Sequence, residues 1–379
     1  MTKYELSIST DYVPDWGIIE AFRELFQNAL DNEIINPENK MGFNYDSGKG
    51  VVTISNKTSQ LSPESLLLGC STKATDKNTI GKHGEGYKLA FMVLLRNGKE
   101  IKVFNYGARE TWDVKLVKSK RYNGKLITTV FVEKNAIWKK TPDNNLYIEV
   151  SGVTPEEYQS IQQRNLHIRD TACDKFNVPG YGDIILDSEE AGNIYVKGLF
   201  VTKIDQLQYG YDFEPKTLSL DRDRKLVDSF NVSWETSRLW KYAASKDTER
   251  KADFLKMFNN NALDLRWIEN TSIAEENTEP YDAIANDFLE KYGDKAVPVM
   301  SNTEYELVSK HSEYKPVIVA ERVATALKHS SIIKEVDINI DSTGMCLKDK
   351  FRVFMDKIEG KLTNDELEEL KELIELIEE

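Results

Sequence analysis

Between Ile18 and Asn32 the sequence IIEAFRELFQNALDN sorts its side chains at a helical period. Turned by about 100° per residue, Phe22, Leu25, Phe26 and Ala29 fall on one side, and Glu20, Glu24, Asn28 and Asp31 on the other. The segment predicts an amphipathic helix, and taken alone its acidic stripe reads as a solvated face. A short extended piece over residues 4–9 and a turn at Pro14 and Asp15 precede it; a polar, Asn- and Gly-rich loop over residues 36–50 follows. Residues 51–55 alternate and are β-branched, which predicts a strand stopping at Asn56. Pro63 and Glu64 open a short helix, and residues 87–95 form a clear apolar one. Residues 99–132 read as β-hairpins turning at Gly107 and at Asn123 and Gly124. Another strand covers residues 146–150. Thr154, Pro155, Glu156 and Glu157 then make a capping box with proline at the first helical position.

From about Asp183 the pattern changes. Residues 192–201, GNIYVKGLFV, predict a strand with an inserted glycine, and residues 220–230, LDRDRKLVDSF, lead into a helical run ending near Tyr242. Residues 251–379 suggest a small α/β region with short strands at 296–300 and 316–320. From Thr363, Asn364 and Asp365 onward, Leu367, Leu370, Leu373, Ile374 and Ile377 make a stripe amid glutamates, predicting an acidic terminal helix that packs on its own domain or on a partner.

Composition narrows the class. A chain of 379 residues, 40% of them hydrophobic, can bury a real core and is long for one domain. No window has the apolar length of a membrane span, and MTKYELSIST lacks the basic start and apolar core of a signal peptide, so a cytoplasmic protein without membrane contact is expected. The three cysteines, Cys70, Cys173 and Cys346, are scattered, as befits free thiols, and show no metal-ligand spacing. A net charge of −13 argues against a surface built for nucleic acid. Locally, however, ten Lys or Arg stand against three acids from Lys102 to Lys140, with Lys115, Lys118, Lys120 and Arg121 grouped beside Tyr122. Lysines also keep exposed strands from pairing, so a solvated edge is the first reading of that cluster and nucleic-acid contact the minor one.

A second chemical signal lies at residues 81–86, GKHGEG, just before the apolar helix. Gly81, Gly84 and Gly86 permit tight turns, so that successive amides can converge on phosphate oxygens at the positive end of a helix. The loop before it is long enough for a lid. There is no GxxxxGK[ST] and no GxGxxG, which excludes a P-loop and a Rossmann fingerprint.

ELFQNALDN resembles the N-box of the GHKL (Bergerat-fold) ATPases, the superfamily of DNA gyrase, its heat-shock chaperone, histidine kinases and MutL, and IGKHGEGYKLA resembles their glycine box. The order of helix, strand, lid and glycine box is also theirs, and the whole layout is most similar to the small rIIA-like proteins of phages and bacteria. The resemblance implies an α+β chain: a Bergerat α/β sandwich over residues 1–182, an S5-like transducer over 183–250, and a mainly helical α/β region over 251–379. It implies ATP and Mg²⁺ as ligands, with Glu24 as general base, Asn28 as magnesium ligand and Asp31 in support near the nucleotide. Amides around Gly81, His83, Gly84, Glu85 and Gly86 would hold phosphate, and Lys73 would reach it as a point charge.

The family's DxGxG aspartate, which accepts a hydrogen bond from adenine, is replaced by Asn56 in ISNKTSQLS, and the motif's glycines are missing. Arg222, Arg224 and Lys225 are candidates for a γ-phosphate sensor, or for surface pairs with Asp221, Asp223 and Asp228. The expectation is a slow ATPase that switches conformation or dimerises on ATP. An interaction module with a degenerate site and a DNA-acting ATPase stand as alternatives.

Overall fold

The computed structural model describes residues 1–66, 86–134, 144–218, 229–270, 278–310 and 313–333, with isolated positions beyond 353. The chain divides into two compact units, Met1–Val232 and Ser233–Glu379.

The first unit is built on β1 (Thr2–Ser9), α1 (Ile18–Ile35), β2 (Met41–Asp46), β3 (Val51–Asn56), α2 (Gly86–Arg96), β4 (Glu100–Asn105), β5 (Glu110–Lys118), β6 (Leu126–Lys134), β7 (Leu146–Ser151) and α3 (Pro155–Gln163). The strands form one seven-stranded sheet in the order β1-β6-β5-β4-β7-β3-β2, with every neighbouring pair antiparallel. Alternation decides which face is buried: Val52 and Ile54, Ile101 and Val103, Trp112 and Val114, Val130 and Val132, and Ile148 and Val150 all point to the same side. Helices α1 and α2 lie on that side, α1 with Phe22, Leu25 and Phe26 and α2 with Leu89 through Leu94 buried. Each such side chain contributes roughly 1.5–3 kcal/mol by leaving water.

Arg96, in the last turn of α2, fixes how the two helices enter the layer. Its guanidinium donates to the carbonyls of Thr10, Tyr12, Val13 and Trp16 at 2.6 to 3.2 Å, gathering the β1–α1 connection onto the end of α2.

Two sequence expectations change. Residues 36–50 are not all loop, because β2 runs through them as the edge strand paired with β3. Its polar composition hides it, yet Phe43 packs on Phe26 with ring centroids 4.8 Å apart, and Tyr45 stacks on Tyr158 at 4.1 Å. Residues 192–201 are not one strand but a hairpin, β10 and β11 below. Its turn residues Lys197 and Gly198 both have positive φ, as tight two-residue hairpin turns require. A Cβ on Gly198 would also come within 2.6 Å of His167 Nε2.

After α3 the same unit continues through β8 (Lys175–Val178), β9 (Gly182–Ile185), β10 (Asn193–Val196), β11 (Leu199–Lys203) and β12 (Gly210–Phe213). They make a five-stranded sheet ordered β11-β10-β12-β9-β8, in which only β10 and β12 run parallel. It is joined to the chain after α3 by Leu166 N–H to the Gly198 carbonyl and Phe200 N–H to the Arg164 carbonyl, at 2.8 and 3.0 Å.

Helix α4 (Ser229–Lys246) starts just before the division, and in the second unit α5 (Thr248–Asn259) and α6 (Glu279–Tyr292) precede β13 (Ala296–Val299), α7 (Asn302–Ser309), β14 (Lys315–Ile318) and α8 (Glu321–Lys328). The two expected short strands are there and pair in parallel. The terminal acidic helix lies almost entirely outside the described residues. Among the described residues no helix is long and apolar enough to cross a membrane.

Candidate functional site

Helix α1 begins at Gly17, whose N–H donates to the Glu20 carboxylate at 2.8 Å. One turn on, the polar stripe leaves solvent. Glu24 is 1% exposed and Asp31 fully buried, with Gln27 buried between them. This corrects the reading of the stripe as a solvated face. A carboxylate is rarely held inside a protein without compensation, so this face of α1 is packed against something that favours it.

Part of that compensation is the start of α2. A Cβ built on Gly86 would fall 2.8 Å from Glu24 Oε2 and 2.7 Å from Asn28 Nδ2. A side chain here would have to displace those two groups, so a glycine lets the first turn of α2 meet them where they stand. The electropositive end of α2, with first-turn amides that have no intrahelical partner, therefore borders the Glu24 carboxylate and the Asn28 amide. The Arg23 guanidinium, stacked over the Trp16 ring, adds positive charge 3.7 Å from Glu24 Oε1.

Asn28 turns its Nδ2 back to donate to the Glu24 main-chain carbonyl at 2.9 Å. Its Oδ1, a hard neutral oxygen, is the end of the amide suited to a cation. Among the described residues no cluster of three or more His, Cys, Asp or Glu could hold a metal ion by itself. A lone amide oxygen next to a carboxylate fits a cation that takes its remaining ligands from phosphate and water, which is how magnesium is usually held.

Further along the helix pair, burial first and the charge of Asp31 second push the Tyr87 hydroxyl far above its ordinary range, so Tyr87 stays protonated. Lys88, in the first turn of α2, is wholly buried. Gln27 and Lys88 escaped the sequence reading. The only signal for Lys88 is one cation in the apolar run YKLAFMVLL, and for Gln27 its place between Glu24 and Asn28.

Asn56 closes β3 and is 2% exposed. Its Nδ2 donates to the carbonyl of Ala29, the residue after Asn28, and to that of Asn39, both at 2.9 Å. Both amide protons are thus spent on main-chain carbonyls, which orients the side chain and leaves Oδ1 as its ligand-accepting end.

The structure thus brings Glu24, Asn28 and Gly86 together, sets Asp31 near Tyr87, and ties Asn56 to the next turn of α1. Lys73, Gly81, His83, Gly84 and Glu85, like Arg222, Arg224 and Lys225, lie outside the described residues.

No family model matches the sequence. An uncharacterized protein of Mycoplasma pneumoniae is 26% identical over 253 residues, covering 62% of this chain and 95% of its own. Among solved structures, the ATPase region of Saccharomyces cerevisiae topoisomerase II bound to ICRF-187 (dexrazoxane) aligns with a TM-score of 0.37 and 11% identity, over 59% of this chain and 83% of that one. A second structure of the same ATPase region aligns with a TM-score of 0.37 and 10% identity, over 59% and 82%.

Proposed function

We propose that this chain binds ATP with Mg²⁺ and hydrolyses it slowly, as a nucleotide-driven conformational or dimerisation switch of the GHKL type. The observation that carries the reading is the approach of Gly86 to Glu24 and Asn28. Two motifs some sixty residues apart in sequence, a carboxylate-amide pair and a glycine that opens a helix, meet at one point, and that point has the parts an anhydride hydrolysis needs.

Glu24 is held beside Arg23 and the start of α2, and its carboxylate would accept a proton from a water lined up on the terminal phosphate. Asn28 Oδ1 would hold Mg²⁺, which when bound offsets the phosphate charge. The first-turn amides of α2 would hold phosphate oxygens, as helix N-termini do. Asn56 Oδ1 would accept from the 6-amino group of adenine, in place of an aspartate, while its NH₂ anchors the side chain to Ala29 and Asn39. Closure on ATP would bring two copies together and move the five-stranded sheet that follows α3.

The neutral Asn56 supports a second reading, a non-hydrolysing interaction module that keeps nucleotide as a structural ligand. Titration calorimetry with Mg²⁺ and ATP, and with GTP for comparison, into wild type and Asn28→Ala tests both, followed by phosphate release from the same wild-type sample. ATP binding that Asn28→Ala weakens only when Mg²⁺ is present, together with slow phosphate release, is the expected result. Binding without release selects the module, and no binding of either nucleotide overturns both.

A further inference from the structure

The β5–β6 hairpin ends in a turn over residues 119–125 that carries most of the basic cluster. The turn is fixed internally: Ser119 N–H donates to the Lys125 carbonyl and Gly124 N–H to the Ser119 carbonyl, both at 2.9 Å, with Asn123 and Gly124 at positive φ. Tyr122 ties it to β1 through a hydroxyl contact with Ser7 Oγ at 3.2 Å, and the Arg121 guanidinium lies over the Tyr122 ring. Lys118, Lys120, Arg121 and Lys125 are all exposed, and none forms an ion pair with a described residue. By contrast Lys115, further down β5, pairs with Asp113 at 3.1 Å. The acid beside the tip, Glu5, is engaged first by Lys3 and the Ser119 hydroxyl at 2.7 and 3.0 Å, with a smaller pull from Arg121.

The ordinary explanation for such lysines is protection of an open sheet edge. It reaches Lys115 and Lys118, since β4 pairs with β5 only from Glu110 to Val114 and leaves the rest of β5 open on that side, but it does not reach the turn. Lys120, Arg121 and Lys125 sit in the turn, beyond any ladder that needs guarding.

We propose that this tip is a contact for the phosphate backbone of nucleic acid. Several exposed point charges on an internally bonded turn match a partner whose charge is dense and repeated. A membrane surface fits less well, since the tip offers one exposed apolar side chain, Leu126, and its aromatic ring, Tyr122, is half-buried and tied to Ser7. With a chain net charge of −13, contact is confined to this tip and is weak, independent of base sequence and strongly salt-dependent.

Fluorescence anisotropy of a labelled DNA duplex across a salt series tests it, without dependence on the nucleotide reading. Four phosphate contacts give a slope of roughly −3.6 in log K against log salt, a loss of roughly a hundredfold between about 50 and about 200 mM. The variant Lys120→Ala/Arg121→Ala/Lys125→Ala, which keeps Asn123 and Gly124, is expected to lose about three units of that slope and at least about tenfold in affinity at low salt, with unchanged thermal unfolding. Equal affinity and slope in wild type and variant would overturn the proposal. So would failure of wild type to bind duplex at low salt, or binding to phosphatidylserine vesicles without binding to duplex.

Discussion

Helices α1 and α3 look alike as patterns, each with apolar residues on one side and acids on the other, yet they use their acids in opposite ways. In α3 the acids serve the end of the helix: Thr154 Oγ1 accepts from the Glu157 N–H at 3.2 Å while Glu157 Oε2 accepts from the Thr154 N–H at 2.9 Å, and Ile161 is the sole buried residue. In α1 only Glu20 does such work, and Glu24 and Asp31 are buried. Glu157 also takes Lys99 Nζ at 2.7 Å, and its carboxylate stays half-buried. A fully buried acid needs a second element that brings compensating dipoles or charge around it, and α2 is that element for Glu24. What separates a structural carboxylate from a candidate catalytic one is therefore how completely its neighbours enclose it, which periodicity does not show.

The contrast is broken most severely at Glu24. Glu24→Ala is expected to keep nucleotide affinity within a few fold and to reduce phosphate release by about 10²–10⁴-fold, measured by calorimetry and a phosphate assay on one preparation. Loss of thermal stability with undiminished turnover would put Glu24 in the class of the α3 acids.

A large effect on stability is expected from Asn56→Asp, although it installs the residue of the DxGxG motif that Asn56 replaces. A carboxylate has no protons for the Ala29 and Asn39 carbonyls, so one buried and one part-buried acceptor lose their donor and face a negative charge. The cost is about 1–3 kcal/mol or more, read as a lowered denaturation midpoint. A midpoint equal to wild type would show that Asn56 is not held by those bonds.

Gly86→Ala separates site from scaffold. Its added Cβ meets only the far ends of the Glu24 and Asn28 side chains, which can swing away. Stability should change by about 1 kcal/mol or less, alanine being the better helix former, while Mg²⁺-dependent ATP affinity falls at least about tenfold, a change of about 1.4 kcal/mol. Comparable losses in both would mean that the close approach matters only for packing. The smallest effect belongs to α3. Thr154→Ala should cost about 1 kcal/mol in chemical denaturation and leave nucleotide titration unchanged.

Much of the first sheet and its helices is legible from periodicity alone. The Phe22, Leu25, Phe26 stripe, the alternation of residues 51–55 and the Asn123–Gly124 turn each follow from local geometry, and each element appears where the pattern puts it. Strand β2 is not legible, because an edge strand of mixed polarity needs only one partner and a few aromatic contacts, here Phe43 with Phe26 and Tyr45 with Tyr158. The β10–β11 turn is missed because a glycine inside a β-branched run reads equally as a bulge or a reversal. At the site, residue identities are visible in sequence, whereas the burial of Glu24, the direction of the Asn56 amide and the depth of Lys88 depend on elements far along the chain.

The four carbonyls gathered by Arg96 give α2 an unequal pair of ends. One end is bolted to the β1–α1 connection, while the other, at Gly86, meets the flexible tips of Glu24 and Asn28. Eleven residues make an arm of about 16 Å at 1.5 Å per residue. Along that arm every residue from Lys88 to Leu94 is buried, so the helix is held by its packing as well as by Arg96. The distance from Gly86 to the Glu24 carboxylate is thus set by the core, and a substitution deep in that core would reach the site through the arm.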